Sequence, residues 1–239
     1  MLQTHNEKGA SITPPAKKQP RTSIRRRQNN PRGQGERLRE ELIEAASALV
    51  AETGTAGQLS MRAVAAKIGV AATSVYLHFA GIDELKVAVA QRSFAELAAA
   101  RNATIAEIED PADALVARCL AYVHFGLAHP GHYRLMFGSE LSATVFTRAY
   151  EAEDSASRSA YDALIEAIRR CQQTGAARND TDPALLAALL WPALHGQVSL
   201  RIDRPQFLRP PLDEVITQTV QRLVGLTPIR SLNTLPPGV

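Results

Sequence analysis

The chain has 239 residues, 45% of them hydrophobic and 21% charged, with a net charge of +3, two cysteines and one tryptophan. That composition is ordinary for a soluble globular protein, and the length allows one or two domains with a substantial core. There is no run of eighteen apolar residues and the N-terminus is polar and basic, so neither a membrane span nor a secretory signal is expected. Cys119 and Cys171 lie far apart without a CxxC partner, which predicts buried thiols rather than a disulfide or metal site and points to the cytoplasm. The charge is unevenly spread. Residues 1–40 carry ten Lys or Arg against three Glu, a net +7, and the remainder carries −4. A basic arm before a mildly acidic body suggests a polyanion at one end of the molecule, although such arms are also ordinary solvated tails.

Residues 1–34 are rich in Pro, Gln, Asn and basic side chains, with Arg25, Arg26 and Arg27 consecutive, and read as a disordered arm. From Glu36 the pattern changes. Leu38, Leu42, Ala45, Ala46, Leu49 and Val50 mark an amphipathic helix ending near Gly54. After a loop at 54–59, Ser60 caps a short helix whose Met61, Val64, Ala65 and Ile68 form one apolar stripe. Gly69 stops it and supplies the left-handed backbone of a tight corner. A second short helix follows, with Ala72, Val75 and Phe79 on one side and Thr73, Ser74, Tyr76, Leu77 and His78 on or near the other. Two such helices around a glycine turn describe a helix-turn-helix, whose second helix enters the DNA major groove. Between Ser60 and Gly81 there is no acidic residue, which suits phosphates and base edges.

Asp83 and Glu84 open a further helix running toward Ile108, and Asp110-Pro111 marks a break. Beyond it, helices are expected at about 112–129, 131–138, 143–175, 183–202 and 211–224. Pro192 is expected to kink or interrupt the fourth of these. Residues 227–239, with three prolines and a glycine, read as a flexible tail. There is little β-branched alternation bounded by turns. The fold class expected is all-α: a three-helix DNA-binding head at 35–82 and a larger helical effector and dimerisation domain at 83–226, about nine helices in total.

The segment RGQGERLREELIEAASALVAETG, followed by LSMRAVAAKIGVAATSVYLHFAGIDEL, resembles the N-terminal domain of the TetR family of transcriptional regulators over residues 32–90. The marks are the helix order, the Gly69-Val70 turn and Tyr76-x-His78-Phe79 ahead of Leu85. HPGHYRLMFG at 129–138 and Trp191 with His195-Gly196 are similar to one group of the family's effector domains. The resemblance implies a homodimer on a palindromic operator, acting as a repressor that a small molecule releases. It places Arg62 where family members contact bases or phosphates, Thr73 and Tyr76 at groove-facing positions of the recognition helix, and Ser74 and His78 at phosphates. Ser60, Ala72, Leu77 and the arm residues Arg25, Arg26 and Arg27 complete the expected DNA-binding set. Ile82 stands where the family very often has a phosphate-contacting lysine, and Ala71 and Ala72 are small where polar residues are common.

For a largely apolar effector, the expected lining is Phe94, Cys119, Tyr122, Phe125, Tyr133, Phe137, Phe146, Tyr161, Trp191 and His195, though each aromatic among them is also an ordinary core residue. Trp191 and His195 sit one turn apart, and an imidazole on so apolar a helix needs a partner. His124, His129 and His132 straddle a Pro-Gly break without an acidic or thiol companion, so no metal or other cofactor is expected. The apolar surplus of Leu185, Leu186, Leu189, Leu190, Leu194 and Val198 on one helix and Val215, Ile216, Val220 and Leu223 on the next is expected to form the dimer interface, with Leu186, Leu190, Leu194, Val198, Val215, Val220 and Leu223 at its seam, packed with a second copy as a four-helix bundle. The alternative is a DNA-binding regulator with a filled effector domain that answers to a protein partner or to nothing. An enzyme is not expected, since the chain has no Gly-rich phosphate loop, no GxSxG and no carboxylates clustered on one helix face.

Overall fold

The computed structural model describes residues 35–138, 140–142, 145, 147, 156–206 and 210–227. Arg25, Arg26, Arg27 and Phe146 lie outside the described residues. Among those described, regular structure is entirely helical: α1 (Gly35–Thr53), α2 (Met61–Ile68), α3 (Ala72–Val75), α4 (Ile82–Ile105), α5 (Pro111–Ala128), α6 (Pro130–Phe137), α7 (Ala156–Gln173), α8 (Pro183–Asp203) and α9 (Leu212–Val224). An isolated bridge between Ala177 and Leu226 is the single piece of β pairing in this set.

Local chemistry sets the helix ends. The Ser60 hydroxyl accepts from the Ala63 amide at 3.2 Å, and Gly69 closes α2 at φ 72°, its N–H reaching the carbonyls of Ala65 and Ala66. Asp110 and Asp182 cap α5 and α8, each followed by a proline at the first helical position. The helix runs through Pro192 without interruption. That ring is exposed, so the carbonyl it cannot satisfy is open to water.

Two apolar clusters organise the molecule, and α4 serves both. Leu85, Ala88, Val89 and Ala90 pack with α1, α2 and α3 around Leu42, Val64, Val75 and Phe79. Phe94 and Leu97, further along the same helix, join the second cluster, where α4 packs with α5, α6 and α7. Helix α6 also faces both ways: Leu135 joins the first cluster, and Tyr133 and Met136 join the second.

The seam between these clusters is polar and close. Ser47 and His132 share a 2.8 Å hydrogen bond, and Arg134 donates to the Gly54 carbonyl at 3.2 Å and to Asp203 at 2.8 Å. Glu140 accepts from the Thr55 hydroxyl and, at 2.7 Å, from the Ala56 amide. Gly131 sits so near α1 that a Cβ there would lie 2.5 Å from the Val50 carbonyl oxygen.

Cys119 and Cys171 are buried free thiols. Helix α8 is long and apolar enough to cross a bilayer by length and composition alone; Leu186, Leu190, Leu194 and Val198 lie in the second core, and Leu185, Leu189 and Leu200 stay exposed.

Backbone cannot rotate away as a side chain can, so Gly131→Ala is expected to destabilise the fold by roughly 1–3 kcal/mol. Gly81→Ala, where φ is −172° and nothing lies within 4 Å, should shift stability by no more than about 0.5 kcal/mol. Urea denaturation of both variants followed by circular dichroism checks the contrast.

Candidate DNA interface and internal cavity

Helix α2 lies on α1, and α3 projects from the Gly69 corner. Regular α-helix ends at Val75, sooner than the sequence pattern suggests. The chain then continues as a turn in which the amides of both His78 and Phe79 bond to the Val75 carbonyl at 3.0 Å. That turn carries the exposed tip. Tyr76 is 59% exposed and Leu77 is 83% exposed, which is costly for apolar surface unless something covers it. Ser60, Arg62 and Thr73 are also exposed on this side of the head, and Ser74 and His78 are half-buried.

Val75 and Phe79 anchor the turn from inside, and the Arg39 guanidinium lies 5.0 Å above the Phe79 ring. Ala72, counted in the expected DNA-binding set, packs half-buried against the head core on the side of Val75 and Phe79 that the helix pattern predicts. Ile82 likewise turns into that core. Lys67 is held by Glu52 at 2.7 Å, whereas Arg62 makes no ion pair among the described residues. The tip thus presents a hydroxyl, a phenol, an imidazole and a guanidinium without a carboxylate between Ser60 and Gly81.

A cavity lies in the second core, between α4, α5, α6, α7 and α8. Its volume is about 40 Å³. Six expected residues line it: Phe94, Cys119, Tyr122, Phe137, Tyr161 and Trp191. Phe94 meets Phe137 edge-on with ring centroids 5.3 Å apart, and Phe137 lies 5.9 Å from Trp191.

Tyr133 and His195 instead line a neighbouring opening that shares Phe137. The Tyr133 hydroxyl lies 2.6 Å from His195 Nδ1 and 2.9 Å from the Tyr122 hydroxyl, and Ser199 lies 3.3 Å from His195 Nε2. This chain supplies the partner the imidazole requires and joins the two openings. Phe125 lines neither; it packs on the core beside His129, with ring centroids 4.7 Å apart.

Six further lining residues were not expected there, and two of them carry charge: Leu97, Arg101, Arg118, Ala160, Leu164 and Leu194. The signal for Arg101 was its spacing, since Phe94, Leu97 and Arg101 fall at i, i+3 and i+7 on one face of α4.

The expected dimer seam needs correction. Leu186, Leu190, Leu194, Val198 and Val220 are buried inside the single chain, and Leu194 lines the cavity. Val215 and Leu223 are half-buried. The large apolar side chains that α8 leaves exposed are Leu185, Leu189 and Leu200.

Burial holds the imidazoles of His132 and His195 below their ordinary pKa. Both therefore bind a proton less readily in the folded protein than in the unfolded chain. The stability they contribute is present above pH about 6.5 and is lost as pH falls below it. The unfolding free energy is expected to drop between pH 7.5 and 5.5, and His132→Gln should flatten that drop. Urea titrations at several pH values measure it.

Two family models match the chain. The model described as bacterial regulatory proteins, tetR family, matches residues 42–89, and the one described as tetracyclin repressor-like, C-terminal domain, matches residues 115–224. A protein of unknown function from Rhodococcus sp. RHA1 superposes with a TM-score of 0.64 at 25% identity, over 79% of this chain and 95% of its own. The fatty acid degradation regulator FadR from Bacillus halodurans gives 0.62 at 16% identity, over 82% and 97%. RolR in complex with its ligand resorcinol gives 0.61 at 17% identity, over 81% and 90%. The last two likenesses are of fold. No curated protein matches the sequence.

Proposed function

The chain belongs to the TetR family of transcriptional regulators, and from that premise we propose that it is a homodimeric, cytoplasmic repressor released from a palindromic operator by a small, largely apolar ligand. The observation that carries the DNA-binding half is the tip after α3, with Tyr76 and Leu77 exposed on a face free of acidic side chains. A tyrosine ring packs on a thymine methyl and its hydroxyl reaches a phosphate, while serine, threonine and histidine donate to phosphate oxygens. Arg62 supplies the bidentate donor that suits guanine, and the basic arm at 25–27 adds salt-dependent affinity. Two copies would set their α3 tips about 34–36 Å apart, one turn of DNA, or further on a longer operator.

Release follows from the double duty of α4 and α6. A molecule entering the cavity presses on Phe94 and Phe137, which lie on the two helices that also help form the head core. Moving either helix tilts the head. The ligand acts only so far as it binds the DNA-incompetent arrangement better than the competent one. RolR holds a ligand in a protein of this fold, which supports the reading. The narrowness of the void favours the second reading, a filled domain that answers to a protein partner. A ligand that shifts DNA binding decides between them.

The dimer face we assign is the outer stripe of α8 with Leu185, Ala188, Leu189 and Pro192, flanked by α9. Leu189→Glu is expected to give monomers in sedimentation velocity and to weaken DNA binding. In gel-shift assays with DNA upstream of its own or a neighbouring gene, Tyr76→Ala and His78→Ala should each lose about ten- to hundred-fold in affinity with helicity unchanged. Unaltered shifts would refute the assignment of the tip.

A further inference from the structure

The cavity wall holds two cations that nothing described in the chain neutralises. Arg101, on α4, is only 6% exposed, and its Nε is buried without a hydrogen-bond partner. Its Nη1 reaches the Ala160 carbonyl at 3.5 Å, the outer limit of a hydrogen bond. Arg118, on α5, has a buried Nη1 that is equally unpartnered. A guanidinium carries five donors and stays protonated in proteins, so both side chains bring unsatisfied donors and full charge into an aromatic interior.

The surroundings intensify that cost. Burial and the charge of Arg118 push Arg101 down to about 10. The other ionisable groups acting on it are Cys119 and Tyr122, and burial pushes each of these up to about 12, so both are neutral near pH 7. Among the described residues, the cavity lining contains no Asp or Glu. Unpaired buried charge is strongly destabilising, and a single anion between the two guanidiniums would convert it into charge-assisted, fork-shaped hydrogen bonds.

We propose that the cavity binds an amphipathic carboxylate, its anionic head held between Arg101 and Arg118 and its apolar body against Phe94, Phe137 and Trp191. The inference rests on the ligand-released reading above and gives that ligand a chemical class. A carboxylate matches the paired donors, and the aromatic side chains must shift to admit its apolar body, since the void of about 40 Å³ is smaller than the roughly 150 Å³ of an apolar cavity that binds benzene. Arg101 also makes the site a lever, because it lies about 28 Å along α4 from the helix end that carries the head.

Trp191 is the sole tryptophan and lines the cavity, so intrinsic fluorescence reports occupancy independently of DNA. The full-length protein is titrated with hexanoate, benzoate and 4-phenylbutyrate, each beside its neutral amide. At least one acid should quench saturably and bind ten-fold or more tightly than its amide. Arg101→Gln and Arg118→Gln should each cost that acid at least ten-fold and erase the preference while leaving the amide unchanged; Arg118 is the less buried and serves should the Arg101 variant fail to fold. Equal binding of acid and amide, a preference that survives Arg118→Gln, or no response to any acid would overturn the proposal. Glu151, Glu153 and Asp154 lie outside the described residues, so a triple Gln/Gln/Asn variant is a further arm. Unchanged affinity is expected, and a ten-fold gain would show that the chain's own carboxylates neutralise the pair, which would also overturn it. Saturable acid binding that leaves the gel shift intact keeps the anion site and removes the release reading.

Discussion

One helix packed into two cores is the constraint on which the rest of this structure depends. The first part of α4 completes the interior of the head through Leu85 and Val89, and the next part completes the interior of the body through Phe94 and Leu97. Close packing makes each end costly to displace alone, since voids forfeit dispersion contacts and overlaps force rotamers off their minima. The helix therefore behaves as a rod pinned at both ends. On the proposed reading, a change in the volume or charge of the body cavity would be felt at the base of the helix-turn-helix, and DNA bound at the tip would be felt in the cavity. Reciprocity of that kind is what linkage between two sites requires.

Helix α6 supplies the second connection, and its chemistry differs. Where α4 couples through apolar packing, α6 couples through Ser47 with His132, Arg134 with Gly54, and the Glu140 turn with Thr55 and Ala56. On its other side, Tyr133 enters the chain of hydroxyls and imidazole that ends at Ser199. Polar contacts are directional, so this seam fixes a register between head and body that apolar packing alone leaves looser. The cavity between the two connections combines an aromatic wall with unsatisfied guanidiniums, an arrangement that favours occupancy over emptiness.

Much of the head was legible in the sequence because each signal there is local. The stripe Met61, Val64, Ala65, the Ser60 cap and the Gly69 corner lie within ten residues, and the structure keeps all of them. The end of α3 was less legible, because turn and helix share hydrogen bonds at Val75. The body was readable as helices, but its faces were not. Helix α8 is apolar on nearly every side, so periodicity cannot separate the leucines that fill one chain from those left outside, and Leu190 and Leu194 proved to be interior. Arg101 and Arg118 were missed for a related reason: an arginine in an alanine-rich helix reads as solvated until three other helices are seen to close over it.

Gly131 carries a consequence for how motion crosses the seam. Where two elements meet through side chains, a small displacement is absorbed by rotation about χ angles, and little arrives on the far side. Here α6 rests on α1 main chain against main chain, with no room for even a methyl group between them. Peptide planes do not flex that way, so the joint has almost no backlash. A shift of a few tenths of an ångström on one side must be passed on whole or not occur at all, which favours switching over graded response.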